Sequence, residues 1–275
     1  MGIQRGVLSN SANIGDHVIK LTLPISARSS IFTQPHFHTA SPAKGSMTYR
    51  QLTPPRTKDA LVSVAALLSA YGLLAVQALG LAKLSLDKRV VLGVLPFMLI
   101  IALGVPSWLL VRYLRKQNIE TGFTSLSKRG WHLLWQTPAA IIAAGAATAF
   151  VASILGMEKG ERSSTLTSAG ESGQTLPILL VLLAYLLLGP FLEELVFRRV
   201  LMGYFDTLMP AALSVLFSSL LFGLAHVSPP AILFTTFLGI SCALITRWHG
   251  TLWAGFIVHM LNNLVVGLLV FGVAG

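Results

Sequence analysis

The stretch LLLGPFLEELVFRRVL, residues 186–201, places two adjacent glutamates, Glu193 and Glu194, inside an otherwise apolar segment. On a membrane-insertion scale a charge at mid-helix costs about 2.5–3.5 kcal/mol, whereas Leu, Ile, Val and Phe each return about 0.3–0.6 kcal/mol. The glutamates and the arginine pair that follows would cost on the order of 10 kcal/mol at that depth. The twelve large apolar residues of 176–192 supply only about 4–7 kcal/mol. The segment can therefore cross a bilayer only if some charges pair, become neutral or reach the interface.

Composition predicts that this chain is a membrane protein. Its 275 residues are 54% hydrophobic and 11% charged, and the mean hydropathy is +0.73, which excludes an ordinary soluble domain. We predict an all-α polytopic membrane helix bundle of about seven transmembrane helices, each close to the roughly 20 residues that a bilayer requires. The predicted spans are 60–82, 89–112, 132–156, 176–203, 209–227, 230–248 and 251–272.

The chain divides into four predicted regions. They are a disordered or mis-started N-terminal segment (1–58), three accessory transmembrane helices (59–156), a polar loop (157–175) and a four-helix core (176–272) that carries the candidate catalytic residues. Within the first region, residues 1–46 have two interpretations that stay open. They are either a presequence or an upstream extension, with Met47 as the true start.

The distribution of basic residues predicts the orientation and the partners. The net charge is +10, but the basic residues lie between apolar runs and form no single patch, which argues against nucleic acid as a partner. With the N-terminus in the cytoplasm, 15 of the 20 Lys and Arg residues fall on the inner side. We therefore predict a multi-pass protein of the cell membrane with a cytoplasmic N-terminus.

Helical spacing suggests which polar residues can meet. Glu194 and Arg198 are separated by four residues and share a helix face, whereas Glu193 points about 100° away. His259 and Asn263 have the same four-residue spacing in the seventh predicted span. Counting about 1.5 Å per residue from the predicted turns places Glu193, His226, His259 and Asn263 in one layer of about 15 Å.

These residues form three motifs in a fixed order. EELVFR contains Glu193, Glu194 and Arg198; FGLAH contains Phe222 and His226; HMLNN contains His259 and Asn263. The series resembles the pattern EExxxR, FxxxH, HxxxN of the CPBP intramembrane proteases, a family named for CAAX proteases and bacteriocin-processing enzymes and also called Abi-like. The resemblance covers about 176–272 and does not extend to the first three spans.

The resemblance implies a role for each motif residue. Glu193, together with His226, would be the general base that activates water for attack on a peptide bond. His259 and Asn263 would donate hydrogen bonds to the oxyanion. Glu194 and Arg198 would hold the glutamate helix, and Phe222 would pack near His226. The implied substrate is a membrane-associated peptide or protein, processed either at a CAAX-type C-terminus or at a bacteriocin or leader peptide.

Several alternatives stay open at this point. We predict no cofactor, although zinc-dependent hydrolysis by the same residues is not excluded, because one glutamate and two histidines could supply three ligands. A non-catalytic membrane immunity or scaffold protein would have the same fold, and a proton-coupled transporter also uses intramembrane carboxylates. The sequence does not indicate the natural substrate or the oligomeric state.

Overall fold

The structure is a computed structural model, and it describes residues 52–84, 87–157 and 175–274. The described residues form an all-helical bundle without strands. Its helices are α1 (Thr57–Lys83), α2 (Lys88–Lys116), α3 (Leu133–Leu155), α4 (described below), α5 (Ala211–Leu224), α6 (Pro229–His249) and α7 (Leu252–Ala274). A short 3₁₀ helix, Lys128–His132, precedes α3. Residues 1–51 and the larger part of the predicted polar loop 157–175 lie outside the described residues, so the predictions for both stay predictions.

The central helix α4 is a series of five consecutive segments. The second and the fourth are π-helical, and the other three are α-helical. The segments are Thr175–Leu183, Ala184–Leu188, Gly189–Glu193, Glu194–Leu201 and Met202–Phe205. Helices α1, α2, α5 and α7 all contact this series. The apolar core around it combines residues of α1 and α2 with Leu192, Leu195 and Val196, none of which is exposed.

Six helices are long and apolar enough to cross a membrane, and α5 is the exception among the described residues. We predicted a span over 209–227, but α5 contains only 14 residues and is therefore about 21 Å long, against a hydrocarbon core of about 30 Å. The helix starts after Pro210 and ends before Ala225. His226 consequently lies in the turn between α5 and α6 and not inside a helix.

Local signals define several helix ends. The Asp59 carboxylate accepts hydrogen bonds from the Arg56 backbone (2.8 Å) and from the Tyr113 hydroxyl of α2 (2.8 Å), which ties the start of α1 to the end of its neighbour. Helix α6 begins at Pro229, whose missing N–H costs nothing at a first helical position. It ends at Gly250, whose φ of 72° is readily adopted only by glycine. The sharp turn at Gly250 brings α7 back against α6 and α4.

Candidate active site

The centre of the candidate site is a buried ion pair on α4. Glu194 Oε1 and Arg198 Nη1 lie 3.3 Å apart, and neither side chain is exposed. The guanidinium also lies over the ring of Phe222 from α5, with 4.1 Å between Cζ and the ring centroid. This cation–π contact compensates part of the lost hydration of the arginine. Residues of the first two motifs, which are distant in the sequence, are therefore in contact.

Two glycines let the neighbouring helices approach this ion pair closely. A Cβ at Gly255 of α7 would lie 2.8 Å from Glu194 Oε2, and a Cβ at Gly239 of α6 would lie 3.2 Å from Arg198 Nη2. Both distances are below the contact separation of about 3.5 Å or more that heavy atoms prefer. The absence of side chains at these two positions therefore lets α6 and α7 enclose the charges.

His259 of α7 lies between the two glutamates. Its Nδ1 is 3.1 Å from Glu194 Oε1, and its Nε2 is 3.5 Å from Glu193 Oε2. The contact with Glu194 is a hydrogen bond, in which Nδ1 donates to the carboxylate. The contact of Nε2 with Glu193 is longer and lies within ion-pair distance. His259 therefore joins α7 to both glutamates of α4.

The two adjacent glutamates have different surroundings. The Glu194 side chain is fully buried, whereas the Glu193 side chain is 17% exposed. Glu194 Oε1 contacts both Arg198 on α4 and His259 on α7, so these contacts join the two helices. Within the part of the chain that the structure describes, the ion-pair contact of Glu193 is to His259 Nε2, and its side chain keeps an exposed fraction. Of the two, only Glu193 can meet a water molecule without disrupting the ion pair.

His226 joins the cluster through Phe222. The Phe222 ring contacts the imidazoles of both His226 and His259, with centroid distances of 5.2 and 5.4 Å. His226 Nδ1 lies 3.0 Å from the carbonyl oxygen of Phe222. Because a carbonyl only accepts, Nδ1 carries the hydrogen, and Nε2 of the neutral ring is left with a lone pair that can accept a proton. No hydrogen bond or ion pair between described residues joins His226 to Glu193.

Asn263 lies one helical turn beyond His259 and contacts a different part of α4. Its Nδ2 donates a 3.0 Å hydrogen bond to the backbone carbonyl of Tyr185, and its Oδ1 accepts from Asn262 Nδ2 at 3.3 Å. These two partners define which end of the amide faces α4. A second N–H remains on Nδ2.

Arg199 is a residue with a structural role that the sequence did not reveal. Its Nε donates to the Glu120 carbonyl and its Nη2 to the Thr53 carbonyl, and Nη2 lies 3.7 Å from the Glu120 carboxylate. Burial opposes ionisation of Glu120, but hydrogen bonds from its own backbone and from Thr53, together with the charge of Arg199, hold its pKa below the ordinary value. The loop that follows α2 is thus attached to α4. The sequence placed Arg199 beside an apolar segment, but it did not indicate these partners.

The same loop also attaches α7. The backbone N–H of Leu252 donates to the Gly122 carbonyl at 2.9 Å, and the Thr251 hydroxyl donates to the Thr124 carbonyl at 2.6 Å. Gly122 has a φ of 82°, and a Cβ there would lie 3.2 Å from the Arg199 side chain. The loop therefore joins the accessory helices to α4 and α7, which carry motif residues.

The acidic, histidine and cysteine side chains decide whether the site could hold a metal ion. No group of three or more His, Cys, Asp or Glu side chains is arranged to hold a metal ion within residues 52–84, 87–157 and 175–274. Both nitrogens of His259 face carboxylates, and the only cysteine of the chain, Cys242, is buried in α6. The described side chains therefore do not fit a three-ligand zinc site.

All seven motif residues lie in a stretch that matches a known protein family. Residues 175–265 match the family described as "Type II CAAX prenyl endopeptidase Rce1-like". The C-terminal helices are therefore similar to the Rce1-like family. This match confirms the resemblance that the three motifs indicated, and it includes α4, α5, α6 and the greater part of α7.

A curated relative matches a longer stretch of the chain than the family model does. The chain is 23% identical over 164 residues to the protein named "Putative membrane peptidase YdiL" of Bacillus subtilis (strain 168). The match covers 58% of this chain and 65% of that protein, so the chain spans just under two thirds of its length. No solved structure matches the chain. Together with the six membrane-length helices, these similarities indicate an integral multi-pass membrane protein.

Proposed function

We propose that the protein is an intramembrane endopeptidase that hydrolyses peptide bonds of membrane-associated peptides or proteins. The proposal rests on a difference in exposure between the two adjacent glutamates. Glu194 is buried in an ion pair with Arg198, while Glu193 is partly exposed beside His259. Catalytic carboxylates need such an arrangement, because one group must be free to exchange a proton. The family match and the peptidase-named relative support the same reaction class.

The proposed first step balances proton and charge. Glu193 accepts a proton from a water molecule while the water oxygen adds to the carbonyl carbon of the scissile bond. The negative charge of Glu193 thereby moves to the carbonyl oxygen of the tetrahedral intermediate. His259, held by Glu194, is the proposed hydrogen-bond donor that stabilises this charge, and the second N–H of Asn263 is the proposed further donor to the oxyanion.

His226 is the proposed partner of Glu193 in proton transfer. The Nδ1–H of its ring is held by the Phe222 carbonyl, so Nε2 can accept from Glu193 the proton that came from water and pass it to the leaving amine. In the second step the tetrahedral intermediate collapses, the C–N bond breaks and the amine leaves with that proton. The resting state of Glu193 and His226 is then restored.

The experiment compares proteins in host membranes that contain equal amounts of wild-type chain or of the Glu193→Gln variant. Mass spectrometry of new C-termini should find cleavage sites in the wild-type membranes that are missing with Glu193→Gln. The most frequent cleaved sequence, made as an internally quenched peptide, then serves as the kinetic substrate. Identical C-termini in both membranes would refute the peptidase and favour the immunity or scaffold protein. Loss of all activity after exhaustive chelation, restored by zinc, would refute the metal-free reaction.

A further inference from the structure

The π-helical segment before Glu193 leaves one backbone carbonyl without a helical partner. In a helix, the carbonyl of Tyr185 can accept from the N–H of residue 189 in the α register or of residue 190 in the π register. The N–H of Gly189 donates to the Ala184 carbonyl, and Pro190 has no N–H. The Tyr185 carbonyl must therefore find a donor outside its own helix, because an unpaired carbonyl buried in a membrane protein costs several kcal/mol.

The donor that the structure supplies is the Asn263 side chain. Its Nδ2 lies 3.0 Å from the Tyr185 carbonyl oxygen, and the contact joins α7 to α4 about two turns before Glu193. An amide group rotates about its last side-chain bond unless both of its ends are bound. Here the Tyr185 carbonyl binds the nitrogen and Asn262 binds the oxygen, so the direction of the second N–H is defined.

We propose that Pro190 is a positioning residue of the peptidase reaction. By withholding a backbone N–H, Pro190 keeps the Tyr185 carbonyl open for Asn263 and thereby orients the Asn263 amide. This inference rests on the proposed function, because the oriented N–H matters only if it meets a reacting carbonyl. It assigns to Pro190 a chemical role that a proline serving only to bend a helix would lack.

The test is a double-mutant cycle measured with the quenched peptide. Pro190→Ala restores an N–H that can compete for the Tyr185 carbonyl, so kcat should fall about 10-fold with little change in KM, the pattern of an interaction made only in the transition state. Asn263→Ala should lower kcat further. In the Asn263→Ala background, Pro190→Ala should then cost less than 2-fold, because there is no amide left to orient. Pro106→Ala in α2 and Pro138→Ala in α3 are the matched controls, since both prolines lie inside helices outside the motif region.

A second readout does not depend on any substrate. The two side-chain N–H signals of Asn263 in ¹⁵N-labelled protein, assigned by their loss in Asn263→Ala, should be well separated in the wild type because one hydrogen is bound. The chemical-shift separation between the two signals should decrease in Pro190→Ala. If the two substitutions lower kcat independently, so that the loss in the double variant is the product of the two single losses, the inference is wrong. Unchanged amide signals in Pro190→Ala would also overturn it. If the wild type cleaves no peptide, the proposed function fails by itself, whereas an active wild type with an unaffected Pro190→Ala contradicts only the role of Pro190.

Discussion

Gly255→Ala tests whether the buried glutamate needs the close approach of α7. A Cβ at this position would lie 2.8 Å from Glu194 Oε2 and 3.2 Å from the Cys242 carbonyl oxygen, and it would also collide with the Thr246 hydroxyl. Since heavy atoms prefer separations of about 3.5 Å or more, α7 or the Glu194 side chain must move by about 0.5 Å or more. Overpacking of this kind costs about 1–3 kcal/mol of folding free energy.

The same displacement should impair catalysis. His259 follows Gly255 by one turn, so a shift of α7 changes its position relative to both glutamates. Misplacement of catalytic groups by about 1 Å costs on the order of 100-fold in rate, and a shift half as large should lower kcat about 10-fold. The assay measures kcat on the quenched peptide and thermal unfolding of the purified protein in detergent.

Gly145→Ala in α3 is the control for Gly255→Ala. A Cβ at Gly145 has no heavy atom within 4 Å, and replacing glycine by alanine within a helix contributes up to about 1 kcal/mol of stability. Adding Thr246→Ala to Gly255→Ala removes one collision but leaves the contact with Glu194, so it should restore only part of the unfolding temperature. A Gly255→Ala variant with the stability and kcat of Gly145→Ala would refute this account of the helix packing.

Three further predictions concern charge and topology. Arg198→Met removes one partner of the buried Glu194 and should cost about 3–5 kcal/mol of stability. Adding Glu194→Gln should recover part of this loss, as measured by thermal unfolding. A double variant less stable than Arg198→Met would contradict the prediction. Because the pKa of Glu120 is lowered in the fold, its ionised form stabilises the protein above its unfolded-state pKa, and this contribution is lost as the pH falls through its folded-state pKa. The difference in unfolding temperature between wild type and Glu120→Gln should therefore shrink on acidification below about pH 5, and a constant difference would argue against it. With a cytoplasmic N-terminus, a membrane-impermeant maleimide should label Ser168→Cys but not Ser125→Cys in intact cells, and the reverse pattern would invert the proposed orientation.

The sequence was sufficient for the class of fold and for the contacts within one helix. Hydropathy over 20-residue windows predicted the membrane helices, and the four-residue spacing of Glu194 and Arg198 predicted a shared face, on which the two side chains lie 3.3 Å apart. Hydropathy failed for the length of α5, because it does not register that the chain leaves the helix at Ala225 before the Pro229–Pro230 pair.

Contacts between helices were harder to predict. Counting residues from a turn estimates depth in the membrane but gives no rotation about the helix axis, so it could not show that His259 faces both glutamates. The π-helical segments of α4 add to this difficulty, because each residue inserted relative to α-helical register turns the following side chains by about 100°. Pro190 is the residue of this segment that indicates such a disturbance, since a proline inside an apolar helix interrupts the hydrogen-bond pattern. The attachment of Arg199 to Glu120 and Thr53 has no sequence signature at all.

The loop between α2 and α3 limits how the molecule can be divided. The Gly122 carbonyl accepts the hydrogen bond from the first backbone N–H of α7, and the Glu120 carbonyl accepts one from Arg199. A shortened protein that starts at residue 175 would lack both acceptors. Chimaeras that exchange the motif-bearing helices between relatives should therefore carry this loop, together with Thr53, as part of the transplanted unit. Residue 175, where the family match begins, is therefore not expected to be the start of a unit that folds by itself.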